Sequence, residues 1–466
     1  MSTTRNAIWL TGCRLTGDVL NLLLFVVISR RFGPAGAGAY SYGFAIATFA
    51  FVIGCLGIEE YGLRQYARTS DAERPVFLGE LLGSQFLMVG MAVAALSLYL
   101  LFTSPSPATL LTICVLGVYQ ITAALVATLF IPAMAAQRML WPALAELSAR
   151  TIAFATAGYA IEIAHAPLAQ ALLGYPLAAL VWLTIGIISV RRFAPALRIS
   201  VTAAGTRRIL SVLWSFALLE IFAQLFARIG VISLSLGVGD AAAGVFATGL
   251  RLIEVALMPL SFLGVAAYPR LSQLFATDLP EFRRSAANLM WLMLLGGGLA
   301  AWGLYYVATP LLVPVLGARF AGAEPVIQLM AAFALVQAVE VCLGRILLCA
   351  DRQVANAAFV AIGAVLSVLL NIVLVPRFIT SGAVYSGVIA FIVIDILCVR
   401  ALRSALGESM LWRMLGSLTV AAALGAGAAW LSTQINAAQW VQALASAIVF
   451  LGAGALAYRF RPQLES

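Results

Sequence analysis

The stretch Gly33-Pro-Ala-Gly-Ala-Gly-Ala-Tyr-Ser-Tyr-Gly43 joins two long apolar segments, and it has a counterpart in Gly239-Asp-Ala-Ala-Ala-Gly-Val-Phe-Ala-Thr-Gly249. At an offset of 206 residues, Gly33, Ala35, Ala37, Gly38 and Gly43 are repeated and Tyr40 faces Phe246. The same offset sets Arg64 against Arg270 and Arg14 against Glu220. A tandem repeat with both halves in one orientation is a recurrent transporter plan, with the site between the halves.

Apolar segments recur on both sides of each stretch. Spanning a bilayer takes about 20 residues of helix, and fourteen segments qualify: roughly 10–29, 38–58, 80–102, 110–131, 143–162, 168–190, 212–236, 242–264, 285–308, 326–349, 355–375, 383–400, 413–432 and 439–458. The first carries Arg14, Asp18 and Asn21 and is read as a spanning helix rather than a cleaved signal peptide. The expected fold is all-α: a polytopic membrane protein with a six-helix lobe over 1–190, a cytoplasmic linker over 191–211, a second lobe over 212–400, and two further helices with a cytoplasmic tail over 401–466.

Composition agrees. Of 466 residues, 63% are hydrophobic and 10% charged, against about 25% charged in soluble domains. All 28 basic residues are Arg, and the formal net charge is +9. Nineteen of these Arg fall in the segments that are cytoplasmic when the N-terminus is inside; four fall outside, at Arg30, Arg31, Arg319 and Arg377. The positive-inside rule then puts both termini in the cytoplasm. The six Cys all lie in apolar stretches and form no C-x-x-C pair, and the single His is His165. No metal site, cofactor or disulfide framework is expected. Neither a phosphate-binding loop nor a Ser-His-Asp set is present, and no external segment has room for a catalytic domain. No catalytic residue and no nucleic-acid partner are expected; transport is the class that remains.

A charge at mid-bilayer costs about 2.5–3.5 kcal/mol on insertion scales, so deep charges mark a cavity or a partner. Arg14, Asp18 and Asn21 form one helical stripe in the first span. Glu220, Gln224 and Arg228 form another in the seventh, and Thr248, Arg251 and Glu254 share a face in the eighth. Two readings stand side by side. In one, Arg14, Arg228, Arg251, Asn21 and Gln224 line a substrate cavity, with Asp18, Glu220 and Glu254 coupling an ion. In the other, Arg14–Asp18 and Arg251–Glu254 are structural ion pairs. Glu146, Arg150, Arg345 and Asp395 lie near helix ends, where long side chains snorkel. Glu340 is deeper, on a face with Gln337. Pro259 is expected to kink the eighth span.

Three pieces of sequence carry a resemblance. Gly57-Ile-Glu-Glu-Tyr-Gly-Leu-Arg64 with Ala67-Arg68, Ala267-Tyr-Pro-Arg-Leu-Ser272, and Leu370-Asn-Ile-Val-Leu-Val-Pro376 followed by Gly382-Ala-Val resemble the bacterial polysaccharide and O-antigen flippases. These belong to the multidrug, oligosaccharidyl-lipid and polysaccharide exporter superfamily. The resemblance implies two six-helix lobes around a V-shaped cavity, alternating access, and an undecaprenyl-pyrophosphate-linked oligosaccharide as substrate. It also implies the inner membrane, with lipids and other polysaccharide-assembly proteins as partners. Ala383-Val384 departs from the usual pair of Ala, and the absence of Lys is a second departure. A multidrug or small-solute exporter of the same fold is the first alternative, and a membrane-embedded polysaccharide polymerase the second.

Overall fold

A computed structural model describes residues 3–406 apart from 198–199 and 201–202, and beyond them only 448, 449 and 452. The expected spans at 413–432 and 439–458 therefore lie outside the described residues, save those three positions. The other twelve spans fall on helices. The described residues divide into two compact units, Met1–Gly244 and Val245–Ser466.

In the first unit, α1 runs Thr3–Cys55 and contains the first two spans as two limbs. They meet at Gly33, whose φ of 69° lies where a Cβ is penalised, followed by Pro34, which has no backbone N–H. The sequence Gly-Pro therefore breaks the helix where the repeat begins. Next come α2 (Ile58–Arg68), α3 (Arg74–Thr103), α4 (Pro107–Leu129), α5 (Ile131–Ala135), α6 (Leu140–Glu162), α7 (Leu168–Ala171), α8 (Gly174–Phe193) and α9 (Ala203–Gly237). α1 packs against α3, α4, α6 and α9. On α6 the buried face is Ala145, Ala149, Ala153 and Ala157, four residues apart. Small residues at this spacing let helices approach closely where lipid offers no hydrophobic driving force. Gln85 of α3 donates through Nε2 to the Ala124 carbonyl of α4 at 2.5 Å, linking two spans by a buried hydrogen bond.

α10 (Asp240–Thr277) starts in this unit. A Cβ on Gly38 would lie 1.8 Å from the Asp240 carbonyl oxygen, and one on Gly244 would lie 1.8 Å from the Pro34 carbonyl oxygen. Gly38 and Gly244, like Pro34 and Asp240, are equivalent at the 206-residue offset. The two repeated stretches thus touch at matching residues, backbone on backbone, in a contact symmetric under their exchange.

The segment 191–211 is not loose over its whole length. α9 already begins at Ala203. The Ser200 N–H donates to the Gly79 carbonyl, and Arg208 pairs with Glu80 at 2.6 Å. Ile209 and Leu213 are fully buried among Leu78, Leu81, Leu82 and Ile58. Burial rather than charge holds this end. Leu213→Ala should destabilise by about 2–5 kcal/mol. Arg208→Ala, removing the exposed partner of a largely buried Glu80, should cost less, about 1 kcal/mol. Thermal unfolding of the purified variants compares the two.

In the second unit, α10 continues through Pro259 and Pro269 as a single helix, so the kink expected at Pro259 does not divide it. Neighbouring spans and local adjustment let membrane helices accommodate proline. α11 (Leu279–Gly303) follows and ends in a π-helical turn, Leu304–Ala308. Then come α12 (Thr309–Leu316), α13 (Glu324–Cys349) and α14 (Gln353–Leu406). α14 holds the eleventh and twelfth spans as two limbs meeting at Ile379, at φ 53°. Asn371 donates through Nδ2 to Ser386 Oγ at 2.7 Å and to the Ser367 carbonyl at 2.8 Å, fastening one limb to the other.

Candidate functional site

The polar stripe of the first span is held beside α6, and its pairing differs from the expected one. Asp18 does not pair with Arg14. It accepts from Arg150 Nη1 at 2.5 Å, while Arg150 Nη2 donates to Glu146 at 2.6 Å. Arg14 approaches the same Glu146 at 3.9 Å through Nε, with its side chain 60% exposed. Glu146 and Arg150 are therefore paired with the first-span stripe rather than standing alone at a helix end. The reason is local. Gly17, one residue before Asp18, presents no side chain, and a Cβ there would lie 2.5 Å from Arg150 Cδ. The guanidinium crosses α1 over that gap and reaches both carboxylates.

The four side chains are charge-balanced but unequally held. Arg150 and Glu146 are about four-fifths buried, and Asp18 is half-exposed. One guanidinium serves both carboxylates with charge-assisted bonds. That leaves Arg14 with one long ion-pair contact and with Glu59 of α2 in electrostatic reach, its side chain largely exposed. Asn21, a turn beyond Asp18, is half-buried.

On α9, Gln224 Nε2 donates to Glu220 Oε1 at 2.9 Å, and Glu220 is exposed. Arg228 lies at the second limb of α1, its guanidinium 5.8 Å from the centre of the Phe44 ring. A cation over an aromatic face gains about 0.5–2 kcal/mol according to its desolvation. Glu220, Gln224 and Arg228 thus follow one helix face. In the second unit Arg251 pairs with Glu254 at 2.8 Å, one turn away, and Thr248 is buried.

The signal for Glu146 and Arg150 was present in the sequence as an i,i+4 acid–base pair inside a span. What it lacked was the identity of the facing helix. Tyr40 and Tyr175, which share a buried hydroxyl–hydroxyl bond of 3.0 Å between α1 and α8, carried no sequence signal beyond aromatic content. Among the described residues no three His, Cys, Asp or Glu side chains converge to hold a metal.

Among solved structures, the lipid II flippase MurJ in an inward closed conformation is 14% identical, with 97% of this chain and 99% of that chain covered and a TM-score of 0.73. An inward-facing multidrug resistance transporter of the MATE family and MOP superfamily is 12% identical over 84% of this chain and 96% of that one, at a TM-score of 0.62. The MATE multidrug transporter DinF-BH is 16% identical over 86% of this chain and 96% of that one, at a TM-score of 0.56. These likenesses establish the fold, a multi-pass helical membrane transporter fold. No curated protein matches the chain. The sequence model of the family described as polysaccharide biosynthesis protein matches residues 3–275, more than half the chain, and the chain belongs to that family.

Proposed function

We propose that this protein flips an undecaprenyl-pyrophosphate-linked oligosaccharide, of the kind used for O-antigen and related polysaccharides, from the cytoplasmic to the periplasmic leaflet of the bacterial inner membrane by alternating access. On this reading both termini are cytoplasmic, and lobes over 1–190 and 212–400 rock about the segment 191–211. The observation that carries it is Arg14. Arg150 satisfies Asp18 and Glu146, and Arg14 is left exposed, with one ion-pair contact of 3.9 Å to Glu146 and with Glu59 of α2 in electrostatic reach. A planar donor fork so placed suits a diphosphate, which it can grip bidentately. Arg228 is assigned a second phosphate contact, with Asn21 and Gln224 as polar neighbours of the pathway. Arg251, held by Glu254, is assigned a structural pairing. Outward movement of an anionic headgroup also runs with an inside-negative potential, worth about 2.3 kcal/mol per charge per 100 mV.

The test is complementation of a flippase-null strain, reading surface polysaccharide at matched membrane abundance. Arg14→Ala and Arg228→Ala should each lower polymer roughly ten- to a hundredfold, the loss of one charge-assisted contact. Arg228→Lys should retain part of it, because the charge stays while the fork is lost. Wild-type polymer from both alanine variants would overturn the reading. A reporter fused at Ser466 should show cytoplasmic activity; periplasmic activity would overturn the topology.

A second reading, export of an organic cation, draws support from the half-exposed carboxylate of Asp18 and from the exposed Glu220. Its signature is drug resistance conferred by the wild type and lost in Asp18→Asn, with polysaccharide unaffected.

A further inference from the structure

At one end of the first unit the chain gathers Arg in stretches that hold no acid. Residues 81–145 and 163–219 contain neither Asp nor Glu. They include Arg138, in the turn before α6, and Arg191 and Arg192, in the last turn of α8. All three are exposed. Of the two acids on α6, Glu146 is committed to Arg150 and Arg14, and Glu162 lies at the far end of the helix. The negative end of the α8 dipole offsets about half an elementary charge, against two guanidinium groups in its last turn.

Trp141 ties the two helix ends together. The Arg192 guanidinium lies over its ring, 5.9 Å from the centre, and the Phe193 ring meets it edge-on at 5.9 Å. The Trp141 N–H donates to the Arg138 carbonyl at 3.2 Å, which sets Arg138 one turn before the ring. A guanidinium stacked on an aromatic face is fixed in orientation, and its donors lie in its own plane, where an anion reaches them. The start of α6 and the end of α8 therefore form one cationic surface with a rigid aromatic centre.

The apolar surroundings identify the anion. One turn into the span from Arg191 and Arg192, α8 exposes Ile187 and Ile188, and one turn in from Trp141, α6 exposes Leu144. A soluble anion gains nothing from such a surface. A phospholipid has a phosphate for the cations and acyl chains for the apolar side chains below them. Trp sits at headgroup level in a bilayer, and basic pockets between spanning helices take up anionic headgroups.

We propose that Arg138, Trp141, Arg191 and Arg192 hold the headgroup of one anionic phospholipid of the surrounding bilayer, of the phosphatidylglycerol class, with its chains along Leu144, Ile187 and Ile188. None of these residues is assigned to the transported diphosphate, so the inference stands apart from the flippase reading.

The test uses the purified full-length protein in neutral detergent. Thermal unfolding is followed with short-chain phosphatidylglycerol, with phosphatidylcholine of the same chains and with inorganic phosphate, and native mass spectrometry counts the lipid retained. Phosphatidylglycerol should raise the stability of the wild type and stay bound at about one molecule per chain, as mass action requires of a ligand held by the folded state. Arg191→Gln combined with Arg192→Gln should weaken its apparent affinity roughly thirtyfold, at roughly fivefold for each Arg beside an anionic headgroup. Trp141→Leu releases Arg192 from its ring and should weaken it several-fold, whereas Trp141→Phe keeps a ring and should retain most of it. Arg283→Gln combined with Arg284→Gln removes the same charge from the first turns of α11 and should leave the affinity unchanged. Equal stabilisation of the wild type by phosphatidylcholine would overturn the proposal. So would equal loss in the two double variants, which would reduce the site to diffuse surface charge. Stabilisation by inorganic phosphate that disappears in the Arg191 and Arg192 double variant would make this a free-anion site and overturn the lipid assignment.

Discussion

Gly38→Val should leave almost no folded protein in the membrane, and Gly244→Val should do the same. Each substitution aims a branched side chain at a backbone carbonyl whose oxygen lies 1.8 Å from the required Cβ position. Overpacking against movable side chains costs about 1–3 kcal/mol. Here the obstruction on each side is main chain, anchored in a helix immediately after a break at Gly33 or Gly239, so no rotamer change relieves it. The helices must separate, which gives up the close approach that small residues confer in lipid. Gly12 and Gly90, with open space around their Cβ positions, supply the control: valine there should alter abundance little. Fluorescence-detected size exclusion of tagged variants reads the outcome. Normal monodisperse protein from Gly38→Val would show that the two helices do not cross here. The reciprocal contact predicts one further effect. Gly38→Ala and Gly244→Ala press on the same crossing, so together they should cost less than the sum of the singles, since one separation accommodates both.

That crossing was half legible in the sequence. The offset of 206 residues paired Gly38 with Gly244 and Gly33 with Gly239, and the glycines could be read as repeat landmarks. Sequence similarity says that two positions are alike. It does not say that they touch, and the contact depends on how the chain returns. The spanning segments were legible for a simpler reason: lipid demands a run of about 20 apolar residues with its backbone satisfied internally, and that demand is local. Twelve of the fourteen expected spans fall on described helices, and the breaks at Gly33 and Ile379 fall between expected spans. The last two spans lie almost wholly outside the described residues.

The charged cluster of α1 and α6 was legible as faces and not as pairs. The helical period put Arg14, Asp18 and Asn21 on one stripe and Glu146 and Arg150 one turn apart on another. Which stripe meets which follows from Gly17 and from the alanine face of α6, features that carry no charge and so drew no notice beside the acids and bases. The same limit applies to residues 191–211. Their polarity read as a linker, but from Ala203 the chain is already helical, and Ile209 and Leu213 are core.

Arg150→Leu should be the most damaging single change within the charged network. Arg150 is the hub: it donates to Asp18 at 2.5 Å and to Glu146 at 2.6 Å, and only a fifth of its side chain is exposed. Its removal leaves Glu146, equally buried, facing Arg14 alone at 3.9 Å. Stranding a buried charge costs about 3–5 kcal/mol, and the partial exposure of Asp18 reduces the share due to that pair. Replacing both partners should cost less than replacing one, because Glu146→Gln in the Arg150→Leu background removes the more buried of the two carboxylates that lose Arg150, leaving only the half-exposed Asp18. A double-mutant cycle on thermal stability measures the coupling, expected at about 1–3 kcal/mol for groups in one ion-pair network. The change also bears on function. With Arg150 gone, Arg14 becomes the sole cation for Glu146 and is drawn inward, away from any anion it would otherwise bind. Arg150→Leu should therefore lose surface polysaccharide even under conditions that restore its abundance, and Arg150→Leu with Glu146→Gln should recover part of it by releasing Arg14. Equal loss in the single and double variants at equal abundance would mean that Arg150 itself, and not a freed Arg14, meets the substrate.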